Sequence, residues 1–520
     1  MNLSQALKWN VRNRPDKEAL VCGKKRLTFK ELNDRVNRMA NWFVKIGLKK
    51  GDSVALMSQN CNEHAELLFA CAKAGLIYVP IDFRSVSTEI AYFVEIAEPR
   101  IFFLSRDHAK EVKVVVSEMK SVERFVCLEE KLDSMAYYED VLKGSSASEP
   151  DIDVHEDDSV SIIWTSGSGG TPKGCIHSHR TWLSGTMREV FDMSANSDDV
   201  ALVFVPLYHV AGQWPLVTNL RVGARTIILR DFNPSEVLET VQREKVTTIN
   251  LVPTHLLDLM QEVKKGHYDL SSIRLITFGA APMMPGLLDE AIKVFGDVFL
   301  HFYGQSECTC AVTYMDLRGL QGTQTAKSQK RFASSCGQEN IDVEARVVDA
   351  DDNDVLPGEV GEIILRCDAV TKGYLKRPEE TATTLRNGWL HTGDLATKDE
   401  EGYFYITDRK GFKIISGGEN IYPKEVEDVL LQHPSVKETV VIGVPDKRWG
   451  EAVKAVCVLK EGCTAREHEI IEFCRGKMAG YKKPKSVDFV SELPRSGGVG
   501  KILKGKIRDK YWQEEQTPAD

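Results

Sequence analysis

The stretch Ser161-Ile162-Ile163-Trp164-Thr165-Ser166-Gly167-Ser168-Gly169-Gly170-Thr171-Pro172-Lys173-Gly174 carries the strongest signal in the chain. An apolar run typical of a buried strand opens into a loop of glycines and hydroxyls that a lysine closes. Glycines let a backbone approach an anion closely and turn successive N–H groups toward it. The hydroxyls donate further hydrogen bonds, and Lys173 adds a point charge. A plain turn needs neither this length nor this cation, so the segment reads as a phosphate loop. It is not a Walker A loop, because Pro172 precedes the lysine and Gly174 stands where Ser or Thr belongs.

Outward from this loop, apolar bursts alternate with helix-period segments. Thr28-Phe29-Lys30-Glu31 is a capping pattern that predicts a helix over 27–46. Strands are expected over 53–57, 76–81, 200–207, 247–252 and 273–278, and helices over 63–74 and 234–244. Such alternation implies an α/β fold of parallel sheets with helices on both faces. Around 340–365 the texture changes to short strands, 343–348 and 362–366, which predict a small antiparallel or barrel-like subdomain. A final unit then follows, with a strand at Ile414-Ile415, a helix over 423–432, strands over 439–442 and 452–459, and a helix over 465–478. The charged segment 408–413, which contains Gly411, has the character of a hinge. The expected domains are therefore 1–410 and 411–520.

Composition excludes several classes. Apolar residues at 42% and charged residues at 28% of 520 are globular values, which rule out disordered and fibrous chains. With 67 basic and 76 acidic side chains, the net charge of −9 argues against a nucleic-acid surface. No run approaches the roughly 18 apolar residues of a membrane helix, and 1–18 has no apolar segment of secretory type. A cytoplasmic protein without an integral membrane segment is expected. The 12 cysteines are scattered, with Cys308 and Cys310 the one close pair, so reduced packing cysteines are expected rather than a zinc site. His177-Ser178-His179 lacks neighbouring ligands for a metal.

Further segments fall into order behind the phosphate loop: Val205-Pro206-Leu207-Tyr208-His209-Val210-Ala211-Gly212, Phe278-Gly279-Ala280-Ala281-Pro282 and Tyr303-Gly304-Gln305-Ser306-Glu307. Then come Gly388-Trp389-Leu390-His391-Thr392-Gly393-Asp394, Asp408-Arg409-Lys410, Ser416-Gly417-Gly418-Glu419-Asn420-Ile421-Tyr422-Pro423 and Gly500-Lys501. In this order the chain resembles the adenylate-forming enzymes: acyl-CoA synthetases, firefly-type luciferases and peptide-synthetase adenylation domains. The resemblance implies a large N-terminal domain of αβαβα layers with a barrel-like subdomain, followed by a small mobile α+β domain. It also implies that a carboxylate attacks the α-phosphorus of ATP, expels pyrophosphate and leaves an acyl-adenylate.

By the same resemblance, Thr165, Ser166, Gly167, Ser168, Gly169, Gly170, Thr171 and Lys173 meet the phosphates of ATP. Gly279, Ala280, Ala281 and Tyr303 seat adenine, with Gly304 beside them, and Ser306 donates to the α-phosphate in place of the more usual threonine. Asp394 and Arg409 hold the ribose, and Glu307 holds Mg²⁺, a hard cation suited to carboxylate and phosphate oxygens. Lys501, after the glycines Gly497, Gly498 and Gly500, bridges carboxylate and phosphate. The catalytic set is Lys501, Glu307 and His209. The small domain then turns about Gly411, where the family usually has Asp or Lys, and brings Gly417 and Gly418 to line a channel for a thiol beside Ser416. Trp449, Tyr481 and Lys483 suit the nucleotide end of CoA, since aromatic faces and lysines fit a base with a phosphate nearby.

The acyl pocket is expected from His209, Val210, Ala211, Trp214, Thr309 and Cys310, with Gly279, Tyr303 and Gly304 alongside. Small, apolar and aromatic residues without a poised Arg or Lys favour an apolar monocarboxylic acid. An ATP-dependent, AMP-forming acid–CoA ligase is therefore expected. Loading of a separate carrier protein and luciferase-like oxidation of the adenylate remain as alternatives. A non-catalytic nucleotide sensor is disfavoured by the joint presence of Lys173, Glu307, Asp394, Arg409 and Lys501. A homodimer is compatible with this reading.

Overall fold

The computed structural model describes residues 2–132, 134–165, 172–280, 286–309, 311–318, 334–416, 419–446, 449–475, 477–478, 480–495 and 502–514. Packing divides the chain into two compact units. One is built from Met1–Thr165, Lys173–Glu344 and Arg366–Leu390, the other chiefly from Ala345–Leu365 and His391–Asp520.

In the first unit, a nine-stranded sheet has five parallel pairings at its centre. Its strands run Phe299–Gly304, Leu275–Phe278, Thr248–Leu251, Val200–Val203, Arg225–Ile228 and Glu18–Cys22, with antiparallel edges beyond. A seven-stranded sheet orders Ala136–Tyr137, Arg124–Cys127, Pro99–Leu104, Ser53–Met57, Ile77–Ile81, Ser159–Thr165 and Lys173–Ser178. All its pairings are parallel except the last. One continuous core joins residues of both sheets with the helices Phe29–Lys45, Asn62–Ala74, His179–Asp192 and Val210–Val222. Asn62–Ala74 is buried on nearly every face, as a helix enclosed between two sheets must be. Its one acidic core residue, Glu66, is held by Arg35 Nε at 2.8 Å and by the Tyr138 hydroxyl at 2.8 Å. Helices Ser87–Ala97 and Ala109–Val115 cover the other face of the seven-stranded sheet. The expected capping box is present: Thr28 Oγ1 accepts from the Glu31 N–H, while Glu31 accepts from the Thr28 N–H.

The second unit carries two further sheets. The strand Trp389–Lys398 pairs antiparallel with Phe404–Arg409 in one, on the side away from Glu344–Val348 and Gly361–Arg366, which confirms the change of texture read at 340–365. In the other, the long antiparallel ribbon Val436–Asp446 and Gly450–Leu459 is flanked by Ile414–Ser416 and, in parallel, by Ser486–Phe489. Helices Pro423–Leu430 and Glu467–Phe473 pack on one face of this sheet, and Lys504–Glu514 packs through Ile507 on the other. The fold class, a large α/β body with a smaller α+β unit, is as expected, while the smaller unit also takes in 345–365 and 391–410. Among the described residues, no helix is long and apolar enough to cross a membrane, and no disulfide joins the cysteines.

Candidate active site

The carboxyl ends of the parallel strands in the nine-stranded sheet gather several of the expected residues. After Val200–Val203 the chain leaves the sheet and is held by Asn60, whose amide donates to the carbonyls of Phe204 and Val205 at 3.2 Å and accepts from the Leu207 N–H at 2.8 Å. His209 then caps the helix Val210–Val222, with Nδ1 accepting from the Ala211 N–H at 3.1 Å. An accepting Nδ1 places the proton of the neutral ring on Nε2, which becomes a donor. Gly212 admits no side chain: a Cβ there would lie 2.3 Å from the Pro206 carbonyl oxygen. Trp214 is buried edge-on against Phe302, with ring centroids 5.4 Å apart. Asn250 donates to the Ala211 carbonyl at 2.8 Å and accepts from Thr277 Oγ1 at 2.9 Å, which ties the His209 segment to two neighbouring strand ends.

Beside it, Gly279 ends Leu275–Phe278 with no room for a Cβ, which would sit 2.5 Å from the Phe302 carbonyl oxygen, and Ala280 turns at φ +65°. Tyr303 and Gly304 lie at the end of the adjoining parallel strand, where the register shifts between them. The short turn Ser306–Cys308 follows, and then Thr309, a β-branched residue strained at φ +63°. Its hydroxyl donates to the Ala369 carbonyl at 2.8 Å and lies 3.3 Å from Nδ1 of buried His177. Burial pulls the His177 pKa down to about 4, so the ring is neutral. The hydroxyl of Thr309 thus faces His177 and Ala369, while His209, Val210, Ala211 and Trp214 cluster on their own helix start.

The phosphate-loop flanks form a hairpin in which Thr165 pairs with Lys173. Next to it, segment 371–375 is pinned on both sides: the Leu375 N–H donates to the Gly174 carbonyl at 2.9 Å, and the Thr371 N–H donates to the Glu307 carbonyl at 2.7 Å. Tyr374 joins the two. Its hydroxyl donates to Glu307 Oε1 at 2.8 Å, and the Lys173 ammonium stands 5.0 Å from its ring centroid. Burial and the Glu307 charge push the Tyr374 phenol up, so it stays a donor. Lys173 is also ion-paired with Glu380. Mg²⁺ binds through one or two carboxylates together with phosphate oxygens and water rather than in an all-protein cage. Glu307 fits that pattern: among the described residues its Oε1 takes the Tyr374 hydrogen bond, and a carboxylate has about four acceptor sites. Among the described residues, no group of three or more His, Cys, Asp or Glu forms a cage for an ion.

In the second unit, Asp394 and Arg409 face each other across an antiparallel pair, with Arg409 Nε donating to Asp394 Oδ1 at 2.7 Å. Behind them, Glu362 accepts from the Gly393 N–H at 3.0 Å and from Lys410 Nζ at 2.9 Å. Burial raises the Glu362 pKa, but the Lys410 and Gly393 bonds outweigh it and hold the carboxyl below its usual value. Lys504 Nζ lies 3.0 Å from Glu427 and 3.5 Å from Asp408, a carboxyl that burial pushes up. Lys504 is therefore committed to carboxylates. Ser416 pairs with Gly450, next to exposed Trp449 at the hairpin tip, while Tyr481 lies exposed in the turn Gly480–Lys482 and Lys483 follows it half-buried. Gly411 has a φ outside the left-handed region, and a Cβ on it would meet nothing within 4 Å.

The profile of the AMP-binding enzymes matches residues 7–375, and that of the AMP-binding enzyme C-terminal domain matches residues 425–499. The chain belongs to the AMP-binding enzymes. A feruloyl-CoA synthase of an Amycolatopsis species is 36% identical over 509 residues, which span 97% of this chain and 98% of that protein. A fatty acid–acyl-carrier-protein ligase of Streptomyces coeruleorubidus is 31% identical over 522 residues, 98% of this chain and 96% of that one. The Bacillus subtilis o-succinylbenzoate CoA synthetase, solved with its acyl-adenylate intermediate, superposes with a TM-score of 0.83 at 28% identity, covering 97% of this chain and 98% of that one. The expected class, acid–thiol ligase, is the class of these relatives.

For this AMP-binding enzyme, the expected residues 166–171, Ala281, Cys310, Gly417, Gly418 and Lys501 lie outside the described residues. Sequence reading missed Tyr374, Glu380, Asn250 and Asn60. Asn250 left a signal, a polar residue inside an otherwise apolar strand run. The other three are joined to the site only by the fold.

Proposed function

We propose that this AMP-binding enzyme couples an apolar monocarboxylic acid to CoA through an acyl-adenylate, converting ATP to AMP and pyrophosphate. One observation carries the reading: a cation, Lys173, and a carboxylate, Glu307, share one tyrosine, Glu307 just beyond the carboxyl end of a parallel strand, the usual place for ligands in an open α/β sheet. A carboxylate oxygen attacks the α-phosphorus, and the bond to pyrophosphate breaks. The CoA sulfur then attacks the acyl carbon, AMP leaves, and the thiol proton passes to solvent. Two anions must meet in the first step, so positive charge has to be in place beforehand.

Lys173 and the 166–171 loop meet the β- and γ-phosphates, and Ser306 donates to the α-phosphate. Glu307 would hold Mg²⁺, which supplies charge neutralisation at the phosphates when bound. Asp394 accepts from the ribose hydroxyls while Arg409 keeps it oriented, and Tyr303 lies along adenine with Gly279 and Ala280 leaving space. His209 offers its Nε2–H to the acid, and Val210, Ala211 and Trp214 surround the acyl group. Lys501 enters for the first step. Residues 411–520 then turn about Gly411, and the thiol passes Gly417 and Gly418 while Trp449, Tyr481 and Lys483 hold the nucleotide end of CoA. The tolerance of Gly411 for a Cβ in this arrangement fits a glycine whose freedom is used in another one.

The Amycolatopsis relative, named for an aromatic acid, and the absence of Arg or Lys among the acyl-segment residues support an apolar acid. Loading of a carrier protein is the second reading, favoured by the Streptomyces relative. A panel of aromatic and aliphatic acids, assayed with ATP and CoA by mass spectrometry, tests the proposal. AMP and an acyl-CoA are expected; ADP, or a thioester on a carrier protein alone, contradicts it.

A further inference from the structure

Glu380 is used by no step above, yet it holds the cation that meets phosphate. It sits in the first turn of the helix Pro378–Thr384, whose position is locked to the phosphate hairpin. Thr381 Oγ1 accepts from the Tyr374 N–H at 2.9 Å, and at Gly373, with φ +133°, a Cβ would lie 2.5 Å from the Thr381 methyl. The Ile176 N–H in turn donates to the Gly373 carbonyl at 3.0 Å. Glu380 Oε2 is thereby fixed against Lys173 Nζ, while its Oε1 lies 3.4 Å from Arg377 Nη1.

From this arrangement we infer that Glu380 is a placeholder for phosphate, which occupies the Lys173 ammonium before nucleotide arrives and yields it to the triphosphate. The inference rests on the reading that Lys173 meets phosphate. Three features suit an exchange. Lys173 and Glu380 are 20% and 36% exposed, so solvent screens the pair and it is weak enough to part. Released Glu380 keeps Arg377, so no charge is stranded. The Tyr374 ring faces the ammonium through a contact that does not involve Glu380, so this contact needs no change when Glu380 leaves.

The signs of the expected effects separate this role from a structural one. With acid omitted so that no turnover occurs, Mg·ATP binding is measured by calorimetry. Glu380→Gln should tighten binding by about two- to fivefold, the worth of a screened ion pair. Glu380→Asp, which keeps the charge, should stay near the parent. In a Lys173→Met background, itself weakened about tenfold, Glu380→Gln should change nothing. Unchanged or weaker binding by Glu380→Gln with the melting temperature retained overturns the inference, as does equal tightening in both backgrounds. If Lys173→Met leaves affinity intact, the phosphate reading of Lys173 falls and takes the inference with it; if Lys173→Met weakens binding and Glu380→Gln is silent, the inference falls alone.

Discussion

Lys173 and Glu380 meet with side chains 20% and 36% exposed, whereas Asp394 and Glu362 keep 8% and 6%. The first pair lies in the large unit, where it joins the hairpin that flanks a glycine-rich loop to the helix Pro378–Thr384, and solvent screens it. The second pair lies in the small unit, on neighbouring strands, and each carboxylate is held by charge-assisted bonds to Arg409 or Lys410. A carboxylate that solvent reaches can exchange partners at little cost; Asp394 and Glu362 are themselves buried and held in place before any ligand arrives, although their cations Arg409 and Lys410 stay 38% and 56% exposed. Phosphate, which must enter and leave as pyrophosphate, suits the exchangeable cluster, and ribose, which needs two hydroxyls placed accurately, suits the rigid one.

The largest expected effect asks whether the small unit takes part in the chemistry at all. Lys501→Ala should slow adenylate formation by about 10²–10³-fold, the usual loss when one charge-stabilising donor is removed. It should spare thioester formation from supplied acyl-adenylate; rapid-quench assays of the two halves read the difference. Equal loss in both halves would contradict the alternation. Next, Asp394→Ala should lower kcat/KM for ATP by roughly 10–150-fold, from hydrogen bonds to a charged group worth about 1.5–3 kcal/mol. The same loss with 2′-deoxy-ATP on the parent enzyme would support a ribose contact, and an intact kcat/KM would break the comparison at its rigid side.

Smaller effects concern stability. Lys504→Met leaves Asp408 and Glu427 without their shared cation, and should destabilise the small unit by about 1–3 kcal/mol in calorimetric melting. Asp192 offers an effect of opposite sign in the large unit. Burial raises its pKa to about 6, only partly opposed by Asn340 and Arg188. An acid whose folded pKa is raised binds more protons folded than unfolded, so its contribution to stability falls as pH rises from about 4 to 6. Asp192→Asn should therefore raise stability by on the order of 1–2 kcal/mol at pH 8, with the gain fading as pH falls from about 6 to about 4 and absent below that. A pH-independent difference would contradict the assignment.

Sequence patterning reached the fold. The capped helix Phe29–Lys45 and the strand Ser53–Met57 follow directly from local residues, as does the alternation that dictates parallel sheets. The strand expected over 200–207 stops at Val203, because Asn60 draws 204–207 out of the ladder, although Phe204, Val205 and Leu207 remain buried. The helix expected over 465–478 spans only Glu467–Phe473; Met478 keeps the apolar rhythm by packing on the same core outside the helix. The strand at 439–442 extends to Val436–Asp446, since the ribbon with Gly450–Leu459 continues through Pro445 and Asp446. Asp394 and Arg409 were legible as motif residues, but their pairing depends on strand register. Tyr374 and Glu380 stand some 200 positions from Lys173 and meet it through sheet pairing, which no local spacing encodes.

The central claim is that this chain activates a carboxylate by transferring AMP to it. The most direct measurement is acid-dependent exchange of labelled pyrophosphate into ATP, with CoA left out. Exchange that requires a cognate acid and disappears in Lys501→Ala is the predicted result. Acyl-CoA formation accompanied by ADP and phosphate, with no exchange for any acid that is turned over, would contradict the account.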